Sequence, residues 1–141
     1  MELAPIVARL ESQLSGFKKI GGAADLEAIG NGVVPTPACF VVPMRESADD
    51  NATFGQFEQR VTVGFSVVLA ASNRRDATGA AALSGLEPLR RQIKAAIVGW
   101  APEAEFGEPV HFSGGSLLSF ADGLLWWADE FHVKSYYRSN P

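Results

Sequence analysis

His111 and His132 are the only two histidines of the chain, and with Asp129 and Glu130 they are the residues most able to do chemistry. A strand through this region places Glu130 and His132 on one face and Asp129 on the other, so an acid–histidine pair for proton transfer is geometrically possible. Nothing else joins it. No cysteine and no further carboxylate stands at metal-ligand spacing beside either histidine, and an exposed or edge pair is the favoured reading. Ser113-Gly114-Gly115-Ser116 lacks the nucleophile-elbow pattern, and no glycine-rich phosphate loop ending in Lys-Ser or Lys-Thr exists. Arg74 and Arg75, in the polar turn Asn73–Asp76, could meet phosphate or an acidic partner, although paired turn arginines are ordinarily solvated. Asn51-Ala52-Thr53 has the form of a glycosylation acceptor by chance, since nothing else points to secretion. The single cysteine, Cys39, lies in the apolar run Ala-Cys-Phe-Val-Val; it can form no internal disulfide and is expected to be a buried, inert thiol. These residues predict no catalytic group, no metal and no cofactor.

The bulk properties agree with a globular chain. At 141 residues, 47% apolar and 20% charged, it is the size of one ordinary domain with a real core. A formal charge of -4 removes the electrostatic reason to expect a tight nucleic-acid binder. No basic leader precedes an apolar core, and no apolar run approaches the ~18 residues of a membrane span, so the expectation is a soluble, unexported, cytosolic chain.

The elements that must position these residues are organised around Gln56–Ala71. Val61, Val63, Phe65, Val67 and Leu69 share one parity, and Arg60, Thr62, Gly64 and Ser66 the other, which is the period of a long, half-buried central strand. Ahead of it, Pro5 suits a first helical turn, and Ile6, Val7, Leu10, Leu14 and Phe17 follow at helical spacing, with Gly16, Lys18 and Lys19 suited to the helix end. Gly21-Gly22 separates this helix from a short helical segment, Ala23–Ile29, with Asp25 and Glu27 outward and Leu26 and Ile29 inward. Prolines at 35 to 43 bracket a short strand, and the polar run from Met44 to Gly55 reads as a long, mobile hairpin loop. A second amphipathic helix runs from about Gly79 to Trp100, and Pro88 implies either a kink or a later start supported by Ser84-Gly85-Leu86-Glu87. Beyond it, Val110–Phe112 reads as a short strand broken by Gly114-Gly115, and a hairpin closes the chain through the turn signal Asp122-Gly123. In its returning strand, Leu124, Leu125, Trp126 and Trp127 place apolar groups on both faces. That pattern fits either a subunit interface centred on Leu124, Trp126 and Trp127 or a strand buried on both faces within one chain. The expected fold is an α+β two-layer sandwich, with two main helices on one face of a mainly antiparallel or mixed sheet, forming a single domain over residues 1–141.

Several landmarks along this order resemble the tail terminator family of long-tailed bacteriophages and prophages. They are the short N-terminal helix, Gly21-Gly22-Ala23-Ala24-Asp25-Leu26, the Pro-bounded Thr36-Pro37-Ala38-Cys39-Phe40-Val41, and Gln59 leading the long strand. Asn73-Arg74-Arg75-Asp76 with Gly79 before the second helix, and Gly99-Trp100-Ala101-Pro102 after it, complete the set. The resemblance implies a structural virion protein, not an enzyme. It would form a ring, typically of six subunits, that caps the tail tube, stops its growth and offers a docking surface to the head connector. It implies as partners further copies of the chain, the tube protein and the connector, with DNA only as passing cargo and no membrane. The protein would be made in the host bacterial cytoplasm and end in the virion tail. On that reading Arg45, Glu46, Asp49, Asp50, Arg74 and Arg75 are the expected partner contacts. A neck or tail-completion protein is the alternative within the same biology. A small oligomeric enzyme or ligand-binding module is the alternative from another class, to be favoured by a convergent polar cluster in an enclosed apolar pocket.

Overall fold

The computed structural model describes residues 1–30, 32–50, 57–72 and 80–139. In chain order its elements are α1 (Ala4–Gln13), β1 (Lys19–Gly22), α2 (Ala23–Ile29), β2 (Ala38–Ala48), β3 (Phe57–Ser72), α3 (Ala80–Ile97), β4 (His111–Ala121) and β5 (Leu124–Ser139). The strands form one sheet in the order β1-β2-β3-β5-β4, with β1 parallel to β2 and every other pair antiparallel. The α+β sandwich expected from the sequence is the observed architecture.

The long strand, β3, is central, pairing with β2 on one side and along its full sixteen residues with β5 on the other. Its expected apolar parity is the helix-covered one: Val63, Phe65, Val67 and Leu69 join Ile6 and Leu10 of α1 and Leu86, Ile93 and Ile97 of α3 in the main core. Phe65 stacks on Phe131 of β5, with ring centroids 5.5 Å apart. Burying each such side chain contributes roughly 1.5–3 kcal/mol, so this layer holds the two helices to the sheet. Over the opposite face, Leu26 and Ile29 of α2 pack with Val34, Ala38, Phe40, Ala70, Leu124 and Trp126 in a second, smaller cluster.

Four local expectations are corrected. Lys19–Gly22 is not a helix end followed by a glycine spacer but the edge strand β1; α1 ends at Gln13, and Gly16 takes a positive φ of 82° beyond it. The capping of α2 explains one of those glycines. The Asp25 carboxylate accepts from the Gly22 N–H at 2.8 Å, and a Cβ on Gly21 would lie 2.6 Å from the same carboxylate oxygen. Second, β2 continues through Met44–Ala48, paired with Val61–Gly64 past an irregularity between Pro43 and Arg45, so the hairpin connection begins only at Asp49. Its residues 51–56 lie outside the described residues. Third, Gly114-Gly115 does not end a strand: β4 runs unbroken from His111 to Ala121, with register shifts at Phe112/Gly114 and Leu117/Ser119. Finally, α3 does not restart at Ser84, because it passes through that residue with Pro88 inside it. Pro88 and Ser84 are both exposed, so water can satisfy the carbonyl that loses its intrahelical donor.

Candidate assembly surfaces

The acid–histidine arrangement resolves into two unrelated contacts on opposite faces of β5. On the helix-covered face Asp129 is fully buried. Its carboxylate accepts from Arg90 Nε at 3.1 and 3.0 Å, from Arg90 Nη2 at 2.9 Å and from Trp127 Nε1 at 3.0 Å. The Arg90 guanidinium lies 4.6 Å from the centre of a Trp127 ring and also donates to Glu87. Its hydrogen bonds to Asp129 raise its pKa further, and the pair ties α3 to β5. On the other face, His132 Nδ1 is within 2.7 Å of Ser113 Oγ, and its ring stacks on that of His111 at a centroid separation of 5.2 Å. Desolvation, then the neighbouring His111 and Lys134, lowers the His132 pKa and favours its neutral form. Glu130 shares that face and is exposed. Ser113, Glu130 and His132 line a half-open cavity of about 230 Å³ together with Arg45, Met44, Phe65 and Phe131. Among the described residues, no group of three or more His, Cys, Asp or Glu side chains is placed to hold a metal ion. Burial pushes the Cys39 thiol up to about 12, which leaves it protonated and unreactive.

The sequence-expected contact residues separate. Arg45 and Glu46 stand on the outer half of the β2–β3 hairpin, opposite Gly64 and Val63, and therefore project to opposite faces. Asp49 and Asp50 follow at its tip, where the Asp49 N–H donates to the Arg60 carbonyl at 2.8 Å and Gln59 Nε2 to the Asp49 carbonyl at 2.6 Å. All four acidic and basic side chains are exposed at one pole of the molecule. Arg74 and Arg75 lie outside the described residues. Leu124, Trp126 and Trp127 are partly covered from within the chain. Leu124 and Trp126 pack on the cluster of Ala38, Phe40 and Ala70, Trp126 stacking on Phe40 at 6.4 Å, while Trp127 packs on the main core beneath Arg90. The doubly apolar run thus meets an apolar cluster on each of its faces, and each of the three side chains remains partly exposed.

Two surfaces went unread in the sequence. One is the outer edge of β4, with Phe112, Leu117 and Leu118 exposed on it. The other is a groove of about 580 Å³ between α1 and the β1–β2 side of the sheet. A visible signal for the first was the absence of any charged residue or proline between His111 and Ala121.

The function of these surfaces turns on what the chain is related to. The phage tail terminator protein family matches residues 1–141, the whole chain. The chain belongs to the phage tail terminator family. It is accordingly a phage tail protein of a structural family, a component of the virion. No individual curated protein matches it significantly. Among the described residues, no helix is long and apolar enough to cross a membrane.

Proposed function

We propose that this chain, acting as one domain over residues 1–141, assembles into a ring on the last ring of the tail tube, halts tube elongation and offers its far side to the head connector. The observation that carries this reading is the family match over all 141 residues. The shape of the molecule is compatible with it. β3 and β5 run the length of the subunit, about 50 Å for sixteen residues, and separate two poles of different character. The hairpin pole carries exposed Arg45, Glu46, Asp49 and Asp50, whereas the opposite pole carries the Asp122-Gly123 turn and a cavity of about 350 Å³ lined by Val33, Val34, Leu124 and Trp126. A ring subunit with unlike ends stops a polymer by geometry: it complements the tube at one end and presents no tube-like surface at the other. No catalysis enters this mechanism. The charged hairpin pole is the proposed tube contact.

Electron microscopy of tails made with and without the protein tests the reading. Tails assembled without it should be over-long or unable to accept heads. Normal-length tails that join heads in its absence would refute the capping role.

A further inference from the structure

We propose that the subunit associates head to tail with a second copy of itself, the α3–β4 shelf of one copy seating in the α1–β1 groove of the next. The inference rests on the ring reading and identifies the surfaces that would build it. The shelf comes from an edge that no other strand among the described residues pairs with. β4 is the outer strand of the sheet, eleven residues long, and its sequence His-Phe-Ser-Gly-Gly-Ser-Leu-Leu-Ser-Phe-Ala contains no charge and no proline. Exposed edges normally carry such guards, because an open row of backbone donors and acceptors invites pairing with another chain. α3 runs antiparallel beside it, with Lys94 Nζ 4.1 Å from the Phe112 ring centre and Arg90 above Gly115. Together they expose Leu83, Val98, Phe112, Leu117 and Leu118, five of the nine large apolar side chains most exposed among the described residues. Outside the Arg90–Asp129 pair α3 carries two cations, Arg91 and Lys94, and Lys94 is the one set over Phe112 of β4.

The groove complements it in both respects. Leu3, Val7, Val41 and Pro43 make it apolar, and its two charged lining residues, Glu11 and Asp25, are both carboxylates. Asp25 is held ionised by the Gly22 N–H and Lys19; Glu11 has no cation beside it among the described residues. Shelf and groove sit at opposite edges of the five-stranded sheet, about 19 Å apart across it, so neither can fill the other within one chain. A contact between unlike patches leaves one of each open at the ends of every open oligomer, and these meet in a ring when the rotation between copies closes. The pairing places Lys94 against Glu11.

Leu117→Glu spoils the shelf and Ala8→Arg spoils the groove, both at exposed positions. Native mass spectrometry should find each variant monomeric where the wild type associates. A mixture of the two should give a dimer containing one of each and nothing larger, because one intact shelf still meets one intact groove. Lys94→Glu should weaken association about tenfold, and Glu11→Lys in the same chain should restore it. A wild type that remains monomeric throughout a concentration series overturns the proposal, as does a mixture that forms no dimer. Unchanged association of Ala8→Arg would also overturn it and point to edge-to-edge pairing of two β4 strands. Over-long tails without the protein, combined with a failed mixing result, would retain the capping role and reject this contact; the converse would retain the contact and reject the role.

Discussion

Asp129 shows how one residue can be misplaced by its neighbours in sequence. Beside Glu130 and His132 it invites a catalytic reading, yet it is buried and held by Arg90 from thirty-nine residues away. Its desolvation is tolerated because four hydrogen bonds from Arg90 and Trp127 reach its two oxygens. Gly115 is the floor of that arrangement. A Cβ there would lie 2.5 Å from Asp129 Oδ1, 2.9 Å from Trp127 Nε1 and 3.0 Å from Arg90 Nη2. Gly115→Ala should therefore lower stability by about 1–3 kcal/mol through overpacking of the ion pair. Gly85→Ala is the control, since nothing lies within 4 Å of its added methyl group and it sits inside α3, where alanine gains roughly 0.5–1 kcal/mol over glycine. Urea midpoints at unchanged slope should move in opposite directions for the two. A Gly115→Ala protein as stable as wild type would mean that the pair is not seated against β4.

At the scale of elements, β3 decides which face is core. Phe65 is fully buried against Phe131, so Phe65→Asp leaves an unpaired charge in the main core on top of the roughly 3–5 kcal/mol lost with a truncated aromatic, and the variant should not fold. Thr62 has the other parity and accepts a hydrogen bond from Lys134 Nζ; Thr62→Asp would pair with that ammonium and should fold. Circular dichroism separates the two outcomes, and a wild-type melt for Phe65→Asp would shift the register by one. The same physics explains which elements the sequence hid. Alternation marks a strand only where one face is covered. Met44–Ala48 lies beyond the helices with every side chain exposed, so its strand looks like a loop. β1 has only four residues, too few for a period, and two are glycines, one required by the Asp25 cap. Gly114-Gly115 reads as a break because glycine ends many strands, whereas here Gly115 admits Asp129 and Trp127 of β5 and Arg90 of α3.

For the whole molecule, the proposed tube contact is the hairpin pole, whose strands are paired as far as Ala48 and Val61 and do not depend on the connection between them. Replacing residues 49–56 by Ser-Asn-Gly-Ser, long enough to reach from Ala48 to Phe57 four positions beyond Val61, the partner of Ala48, should leave the thermal melt close to wild type while weakening capture of the tube end. Micrographs of tails made with the shortened protein should show lengths between those of the wild type and of tails made without it. Wild-type lengths would move the tube contact elsewhere on the subunit. Association through the α3–β4 shelf and α1–β1 groove involves other residues, so native mass spectra of the shortened protein should match those of the wild type.

The sequence by itself determined the layers: the parity of β3, the helical spacing of Ile6 and Leu10 and of Leu86, Ile93 and Ile97, and the landmarks that resemble the terminator family are all local patterns imposed by burial on one side. What it could not determine depends on partners far apart in the chain. Leu124 to Trp127 is apolar on both faces, and only the tertiary structure set Trp127 against the main core and Leu124 and Trp126 against Ala38, Phe40 and Ala70 on the other side of the sheet. The tertiary structure likewise decided which strand stays at the edge. Strand order depends on long-range pairing, and that pairing left β4 uncovered while Asp129, next to a histidine in sequence, turned inward to Arg90.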